Sequence, residues 1–404
     1  MAIRLIHTAD IHFGVENYGH VDPATGLHSR LIDFRNSFQY IVDYAIKEDV
    51  DLFVFAGDAY KNSCPSPTHQ RILLKLFFQL LDKGIPVVIV VGNHDHPGGV
   101  FKAHALDVFY HIKNPLCTIF GKMGCSVIHT KSGPIQVIGV PWPFPILFGG
   151  GRRITSEEIK DRVLEKLDSY KKNINHSIPA ILVGHLTMKN GVFSGSERIM
   201  VEDRDPLFTV EELSDHAIKY IALGHLHKFQ SLTHDNDVIH PIVYSGSPDR
   251  IDFGEKDDFK TFCDVSVAVE KKTEYKRVPV PCRPFYVINL HIDSIDSAKK
   301  IIFQKLLEYE NINQAVVKIR YTYDDAYIKY IDISFFKDII NYVWHIASIE
   351  CMNNYKKKNV SSVKHNLTFQ DKSLYELVDI YLDTHEVYKI NKNLYLSTLK
   401  EYLE

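Results

Sequence analysis

Pro86-Val87-Val88-Ile89-Val90-Val91 runs without a polar residue into Gly92-Asn93-His94-Asp95. So short an apolar run, rich in β-branched residues, reads as a strand buried on both faces. The glycine that ends it permits a tight turn, which aims the next side chains out of the sheet end. The same pattern recurs along the first two-thirds of the chain. Residues 52–56 run into Gly57-Asp58, 180–183 into Gly184-His185, and 220–223 into Gly224-His225-Leu226-His227. Strand-like Ile3-Arg4-Leu5-Ile6 precedes Asp10-Ile11-His12, and residues 135–140 form another apolar run. Stretches with helical spacing, such as 29–47 and 68–81, lie between several of them. Strands alternating with helices in this way predict an α/β sandwich or layered fold. Such folds place their ligand sites at the carboxyl ends of the strands.

Composition sets the outer bounds. At 404 residues the chain is long for one core, so two domains with an appendage are expected. With 45% hydrophobic and 24% charged residues, it has the balance of a soluble globular protein. Apolar runs such as 87–91 are far shorter than a membrane span, and no signal-like segment precedes the first strand. These features predict a cytoplasmic protein with no membrane partner. The six cysteines lack CxxC spacing, which argues against a disulfide framework or a thiolate zinc site. A net charge of −3 exerts no global pull on nucleic acid, so any such binding must come from local patches, metals or a partner.

A second pattern begins near Cys282-Arg283-Pro284. Residues 285–292 alternate like a half-buried strand, 297–309 have helical spacing, and 315–323 alternate again. A helix near 335–340 and a strand near 343–349 complete a small α/β domain. Residues 353–372 are polar and include Lys356-Lys357-Lys358, as in a linker. After them, Ser373 and Glu376 form a capping-box pattern, with Leu374, Leu377, Val378 and Tyr381 at helical spacing. Leu394, Leu396, Leu399 and Leu403 suggest a further helical piece. The expected organisation is therefore 1–281, 282–352, a linker over 353–372, and C-terminal helices over 373–404.

Asp, Asn and His at successive strand ends are the oxygen and imidazole donors of borderline divalent metals. Any one of these motifs alone reads as a turn. All of them, in this order, resemble the calcineurin-like metallophosphoesterase superfamily. That resemblance implies a four-layer double β-sandwich flanked by helices, with a two-metal site. One metal would take Asp10, His12, Asp58 and His227. The other would take Asp58, Asn93, His185 and His225, with Asp58 bridging. His94 would face the substrate phosphate, neutralising charge or protonating the leaving oxygen, and Asp95 would orient His94. Two cations roughly 3.5–4 Å apart lower the pKa of a bridging water and clamp a phosphodiester for in-line attack.

Three further stretches narrow the resemblance. His7-Thr8-Ala9-Asp10-Ile11-His12, Pro65-Ser66-Pro67, and the run from Tyr244 through Ser245-Gly246-Ser247-Pro248-Asp249-Arg250 to Glu255 are similar to SbcD-like DNA break-repair nucleases. For that family the resemblance implies manganese as the metal, a homodimer, DNA ends and hairpins as substrates, and an SbcC-type coiled-coil ATPase as partner. It also implies exonuclease cleavage of duplex ends and endonuclease cleavage of single strands and hairpins, in association with the nucleoid. Residues 282–352 would then cap DNA, and 373–404 would grip the ATPase. Lys61, Arg152, Arg153, Lys189 and Arg198, together with Ser194 and Ser196, are candidate phosphate contacts, against the alternative of solvated loops. Lys61 stands where such nucleases usually carry a histidine three residues after the bridging Asp. This puts exonuclease strength in question without touching the ligands, and His69 lies too far along the expected helix to count as a substitute. Two rival readings stand beside this one. The first is a small-molecule or cyclic-nucleotide phosphodiesterase, for which the C-terminal additions are superfluous. The second is a non-catalytic DNA-end scaffold, in which a ligand or His94 would be missing.

Overall fold

The structure is a computed structural model, and it describes residues 2–99, 102–145, 154–195, 205–233, 240–292, 295–323, 339 and 341–352. The strands are β1 (Ile3–Thr8), β2 (Leu52–Phe55), β3 (Val87–Val90), β4 (Cys117–Phe120), β5 (Gly124–Thr130), β6 (Gly133–Val140), β7 (Ala180–His185), β8 (Thr187–Met188) and β9 (Leu207–Phe208). They continue with β10 (Ile218–Gly224), β11 (Gln230–Ser231), β12 (Ile242–Tyr244), β13 (Thr261–Val267), β14 (Glu274–Pro279), β15 (Phe285–Ile292), β16 (Val316–Tyr323) and β17 (His345–Cys351). The helices are α1 (Ser29–Lys47), α2 (Pro67–Asp82), α3 (Asp107–Ile112), α4 (Ser156–Lys172), α5 (Val210–Leu213) and α6 (Ile295–Leu306).

Two six-stranded sheets form the body, in the orders β14-β13-β1-β2-β3-β4 and β11-β12-β10-β7-β6-β5. Within them β1, β2, β3 and β4 run parallel, as do β6, β7, β10 and β12. Their facing sides bury one aliphatic layer, including Leu5, Val54 and Val88 from the first sheet and Val137, Ile181 and Val243 from the second. The outer face of the first sheet packs on α1, α2 and α3 through residues such as Phe38, Phe53 and Phe77. The outer face of the second packs on α4 and α5 through Ile159, Val163, Leu182 and Leu213. The result is helices, sheet, sheet, helices: a double β-sandwich. Strands buried on both sides explain the near-continuous apolar runs in the sequence.

Local chemistry sets the helix ends. Ser66 caps α2 by accepting from the His69 amide, with Pro67 inside the first turn. Thr155 and Glu158 form a reciprocal capping box on α4. Helices expected over 29–47 and 68–81 are found as α1 and α2.

A three-stranded parallel sheet, β15-β16-β17, forms the small α/β element, with Ile288, Leu290 and Ile319 packed against Ile302 and Leu306 of α6. The strand expected at 343–349 begins two residues later, at His345, where its ladder with Val316 starts. Nearly all of the expected helix at 335–340 lies outside the described residues. Met1–Met352 make one compact unit and Asn353–Glu404 a second. The second, with the expected linker and C-terminal helices, lies outside the described residues. No helix among the described residues is long and apolar enough to cross a membrane, and all six cysteines are free.

At Gly224, the last residue of β10, the two sheets pass close to one another. A Cβ there would stand 2.1 Å from the Ala56 carbonyl oxygen and 2.8 Å from the Ala9 Cβ. Neither neighbour is a flexible side-chain end, so the contact cannot relax cheaply. Gly224→Ala is therefore expected to destabilise the protein by about 1–3 kcal/mol, read as a lower urea midpoint with unchanged slope. An unchanged midpoint would refute this account of the sheet contact.

Candidate metal centre

The Asp, Asn and His motifs all leave the carboxyl ends of parallel strands on the same edge of the sandwich. Asp10 and His12 follow β1, Asp58 follows β2, Asn93 follows β3, His185 ends β7, and His225 and His227 follow β10. Asp10 (φ 58°), His12 (φ 50°), Asp58 (φ 56°) and His225 (φ 103°) all hold left-handed backbone conformations. Side chains other than glycine seldom adopt this region, and its concentration at one spot marks a place where geometry is imposed from outside. Hydrogen bonds between the loops do the imposing. Asp10 N–H donates to the Gly57 carbonyl at 2.9 Å, and His12 N–H to the Asp58 carbonyl at 3.1 Å. The Asp10 carboxylate accepts from the His225 amide at 3.0 Å, joining the two sheets.

The side chains converge. Donor atoms of Asp10, His12 and His227 lie within 4.8 Å of one another, as do those of Asp58, His185 and His225. Asp58 Oδ2 is 3.3 Å from His185 Nε2 and 3.6 Å from His12 Nε2, so this carboxylate faces both groups. Asn93 Oδ1 lies 3.0 Å from His185 Nε2 and 3.2 Å from His225 Nδ1. All the residues expected as ligands are thus brought to one place. His94 stands with them: a ring nitrogen falls within 4.8 Å of the donor atoms of His12 and Asp58.

The donor set fits divalent cations. Among the described residues, the buried His225 Nε2 has no hydrogen-bond partner, and such an orphan needs an explanation. His12 Nε2 and His227 Nε2 face each other at 3.1 Å. His227 donates from Nδ1 to Glu255 Oε1 at 2.8 Å, because a carboxylate can only accept, so the lone pair of its neutral ring lies on Nε2. His185 donates from Nδ1 to the Ala56 carbonyl at 2.7 Å, which turns its Nε2 toward Asp58 and Asn93. Charges agree with this arrangement. Burial raises the Asp10 carboxyl to about 6 against the pull of His185 and His227. Burial also opposes ionisation of Asp58, but His185, His94 and His12 hold it well below the usual carboxylate range. His185 is raised to about 9 although burial works against it, because Asp58 and Asp10 face it. That field is the one a cation would occupy.

Asp95 requires a correction. It does not orient His94. Its Oδ1 accepts from the amides of Ala59 and Tyr60, at 3.0 and 3.1 Å, and its Oδ2 from the amide of Gly92 at 3.1 Å. With its residue wholly buried, this carboxylate pins the loop after β2 to the loop after β3. His94 is oriented instead by the Lys61 carbonyl, which accepts from Nδ1 at 2.8 Å. The Lys61 side chain is exposed. His69 is closer than the sequence suggested: its ring and the Lys61 Cβ both flank Gly14, at 3.0 and 3.7 Å from where a Cβ would stand. Lys189 is exposed at the β8–β9 ribbon, whereas Ser194 is buried and so offers no surface contact. Arg152, Arg153, Ser196 and Arg198 lie outside the described residues.

Sequence reasoning missed the supports behind the donors. Glu255 is wholly buried and paired with Lys260 at 2.6 Å, and Lys260 also donates to Ser247 Oγ at 2.8 Å. The Trp142 ring lies 4.8 Å from His225 and 6.0 Å from His185, walling one side of the centre. Glu255 was visible only as the end of a familiar stretch, and nothing in the spacing of Trp142 marks it.

Residues 3–229 match the calcineurin-like phosphoesterase family. The uncharacterized metallophosphoesterase YhaO of Bacillus subtilis is 29% identical over 252 residues, covering 61% of this chain and 53% of that protein, so this chain spans about half the length of that relative. The SbcD component of the nuclease SbcCD of Staphylococcus epidermidis is 25% identical over 328 residues, 77% of each chain. The DNA double-strand break repair protein Mre11 of Sulfurisphaera tokodaii is 23% identical over 337 residues, covering 78% of this chain and 76% of that one. Among solved structures, a 5'-nucleotidase precursor from Thermus thermophilus aligns with a TM-score of 0.40 at 13% identity, over 79% of this chain and 61% of the other. With more than half of its length matched and its donors gathered at the strand ends, this chain belongs to the calcineurin-like phosphoesterase family, whose members hydrolyse phosphoesters with divalent metals.

Proposed function

We propose that this chain is a manganese-dependent DNA nuclease of the SbcD and Mre11 type, cutting duplex ends, single strands and hairpins as a homodimer with an SbcC-type ATPase. The observation that carries this reading is the extent of similarity. Alignments to the SbcCD component and to Mre11 run over 328 and 337 residues, well past the family match at 3–229. A phosphodiesterase for small substrates has no use for the additional segments. On this reading 282–352 forms the DNA-capping element, 353–372 a linker, and 373–404 the ATPase contact.

Asp10, His12, Asp58 and His227 would hold one cation, and Asp58, Asn93, His185 and His225 the other. Bound there, two divalent cations would neutralise phosphodiester charge and lower the pKa of water, which is the chemistry this hydrolysis requires. The protein's own groups do the rest. His94 donates from Nδ1 to the Lys61 carbonyl, so its neutral ring carries the lone pair on Nε2. Its ring stands edge-on to His12 at 4.9 Å. From there an imidazolium can hold a phosphate oxygen and pass its proton to the leaving oxygen. Trp142 shields His225 from solvent, and Asp95 keeps the loops that carry Asp58 and Asn93 at fixed separation.

Three measurements test the reading. The metal-stripped full chain, reloaded with manganese, is expected to cut end-labelled duplex and hairpin DNA faster than a chromogenic phosphodiester. The reverse order would favour a small-substrate phosphodiesterase, and no hydrolysis of either would favour a non-catalytic scaffold. His94→Ala should lower turnover by about 10²–10⁴-fold with metal content retained, whereas Asp58→Ala should lose metal as well. A metal-free His94→Ala protein would make His94 a ligand instead. Removal of residues 371–404 should leave manganese-dependent cutting of single strands intact and abolish co-purification with a coiled-coil ATPase. Undiminished co-purification would exclude that segment as the contact.

A further inference from the structure

The metal centre is assembled from two halves. Asp10, His12, Asp58 and Asn93 leave the first sheet, and His185, His225 and His227 leave the second. Between the sheets lies an aliphatic layer in which Leu5 and Val54 meet residues such as Val137 and Ala222. Such contacts are non-directional and resist separation far better than sliding. Metal ligation tolerates errors of only about 0.2 Å. Something directional must therefore set the height of one sheet against the other.

His7 of β1 is placed to do this. It is fully buried, and its ring reaches across to β10. Nδ1 lies 3.0 Å from Tyr220 Oη, and Nε2 lies 3.2 Å from the Leu223 carbonyl oxygen. A carbonyl only accepts, so Nε2 carries the proton and Nδ1 accepts from the tyrosine hydroxyl. Burial lowers the His7 pKa to about 3, so the ring is neutral. Within an aliphatic layer a phenylalanine would fill similar space without desolvating a polar ring. Stability alone is thus a weak reason for a histidine here.

Its position along the strands supplies a better one. Leu223 directly precedes Gly224, which packs on the Ala56 carbonyl, and then His225. Three residues after His7 comes Asp10, whose carboxylate accepts the His225 amide at 3.0 Å. The two links close a small ring: His7 to Asp10 along one chain segment, Leu223 to His225 along the other, bonded at both ends. Asp10 and His225, at the upper end, both hold left-handed backbone conformations. The lower link is the one part of this ring that involves no proposed ligand.

We propose that His7 is a positioning residue of the metal centre, whose two hydrogen bonds across the inter-sheet layer set β10 against β1 and thereby place His225 and His227 relative to Asp10 and His12. This rests on the two-cation reading of the site and is independent of the DNA substrate. The test compares wild type with His7→Phe, His7→Gln and Tyr220→Phe, using Val243→Ala as a control that thins the same layer without removing a hydrogen bond. Manganese affinity is measured by calorimetric titration, coordination by the visible spectrum of the cobalt-loaded protein, and folding by thermal melting. His7→Phe is expected to weaken manganese binding by about 10-fold or more and to alter the cobalt spectrum. His7→Gln, whose amide can still donate to the Leu223 carbonyl, should recover part of the affinity, and Tyr220→Phe should lose less than His7→Phe. Val243→Ala should melt earlier yet keep wild-type affinity and spectrum. Wild-type affinity and spectrum in His7→Phe would overturn the proposal, as would losses that merely follow melting temperature across all variants. Should His7→Phe fail to fold, His7→Gln carries the test, and wild-type binding in it together with wild-type binding in Tyr220→Phe would overturn the proposal. Wild-type protein that takes up no manganese would overturn the two-cation reading itself, and this proposal with it.

Discussion

Asp10 and Asp58 are each 1% exposed, and they share their enclosure with His12, His185, His225 and His227. Burying carboxylates so deeply is unfavourable unless positive charge meets them. Among the described residues it is imidazoles that face them, and they respond unequally. His185 is pushed up to about 9 by Asp58 and Asp10, while His12 and His225 are held well below their ordinary range by burial. A cluster so divided is matched to cations that arrive from outside. Much of the surrounding architecture makes sense as a means of holding these donors apart and aimed before any cation arrives. The left-handed residues, the inter-loop amide bonds, the close pass at Gly224 and the buried Asp95 all serve that end. Pre-organisation of this kind places the strain in the scaffold rather than in the binding step.

The central strands of the sandwich were legible in the sequence because their burial is two-sided. β2, β3, residues 180–183 of β7 and residues 220–223 of β10 are continuous apolar runs because helices cover one face of each sheet and the other sheet covers the opposite face. β14, an edge strand, carries Glu274, Lys276 and Arg277, and β13 interrupts its apolar residues with Asp264 and Ser266. They gave no comparable signal. The donors were legible for a related reason: each sits immediately after such a run, so locating the strand end locates the side chain. Their supports were not. Glu255 reaches His227 from a separate loop, and Lys260 pairs with it from five residues further on. His7 reads as an ordinary interruption of a strand. Partners of this sort are defined by tertiary proximity, which spacing cannot encode.

Asp95 shows the limit most clearly. An acidic residue next to a catalytic histidine invites the reading that one orients the other. Here the chain turns between them, so the two side chains point to different tasks. The carboxylate turns inward to backbone amides of Ala59, Tyr60 and Gly92, and the imidazole turns outward to the Lys61 carbonyl. Asp95 therefore acts on His94 at one remove, by fixing the segment that ends in Lys61. The same fact changes the meaning of Lys61. Its main chain holds His94 whatever its side chain is, so a lysine in place of a histidine at this position leaves the orientation of His94 intact.

The supports of the two half-sites also differ in kind. His185 leans on the Ala56 carbonyl, a neutral acceptor belonging to the opposite sheet. His227 leans on Glu255, whose charge is met by Lys260 and by the Ile251 amide at 2.9 Å. The loop bearing Glu255 also carries Arg250, which donates to Cys282 Sγ at 2.9 Å and to the Arg283 carbonyl at 3.0 Å. Arg283 in turn holds Asp33 through two bonds, at 2.9 and 2.7 Å, and stacks over Trp344 at 3.5 Å. One short loop is thus bonded to a donor of the metal centre at one end and to the root of the three-stranded sheet at the other. Among the described residues His185 has no such tie: its support is the sandwich itself. A displacement of the small sheet would strain the His227 side through Arg250 and Glu255 before it reached the His185 side, because the former shares bonds with the junction.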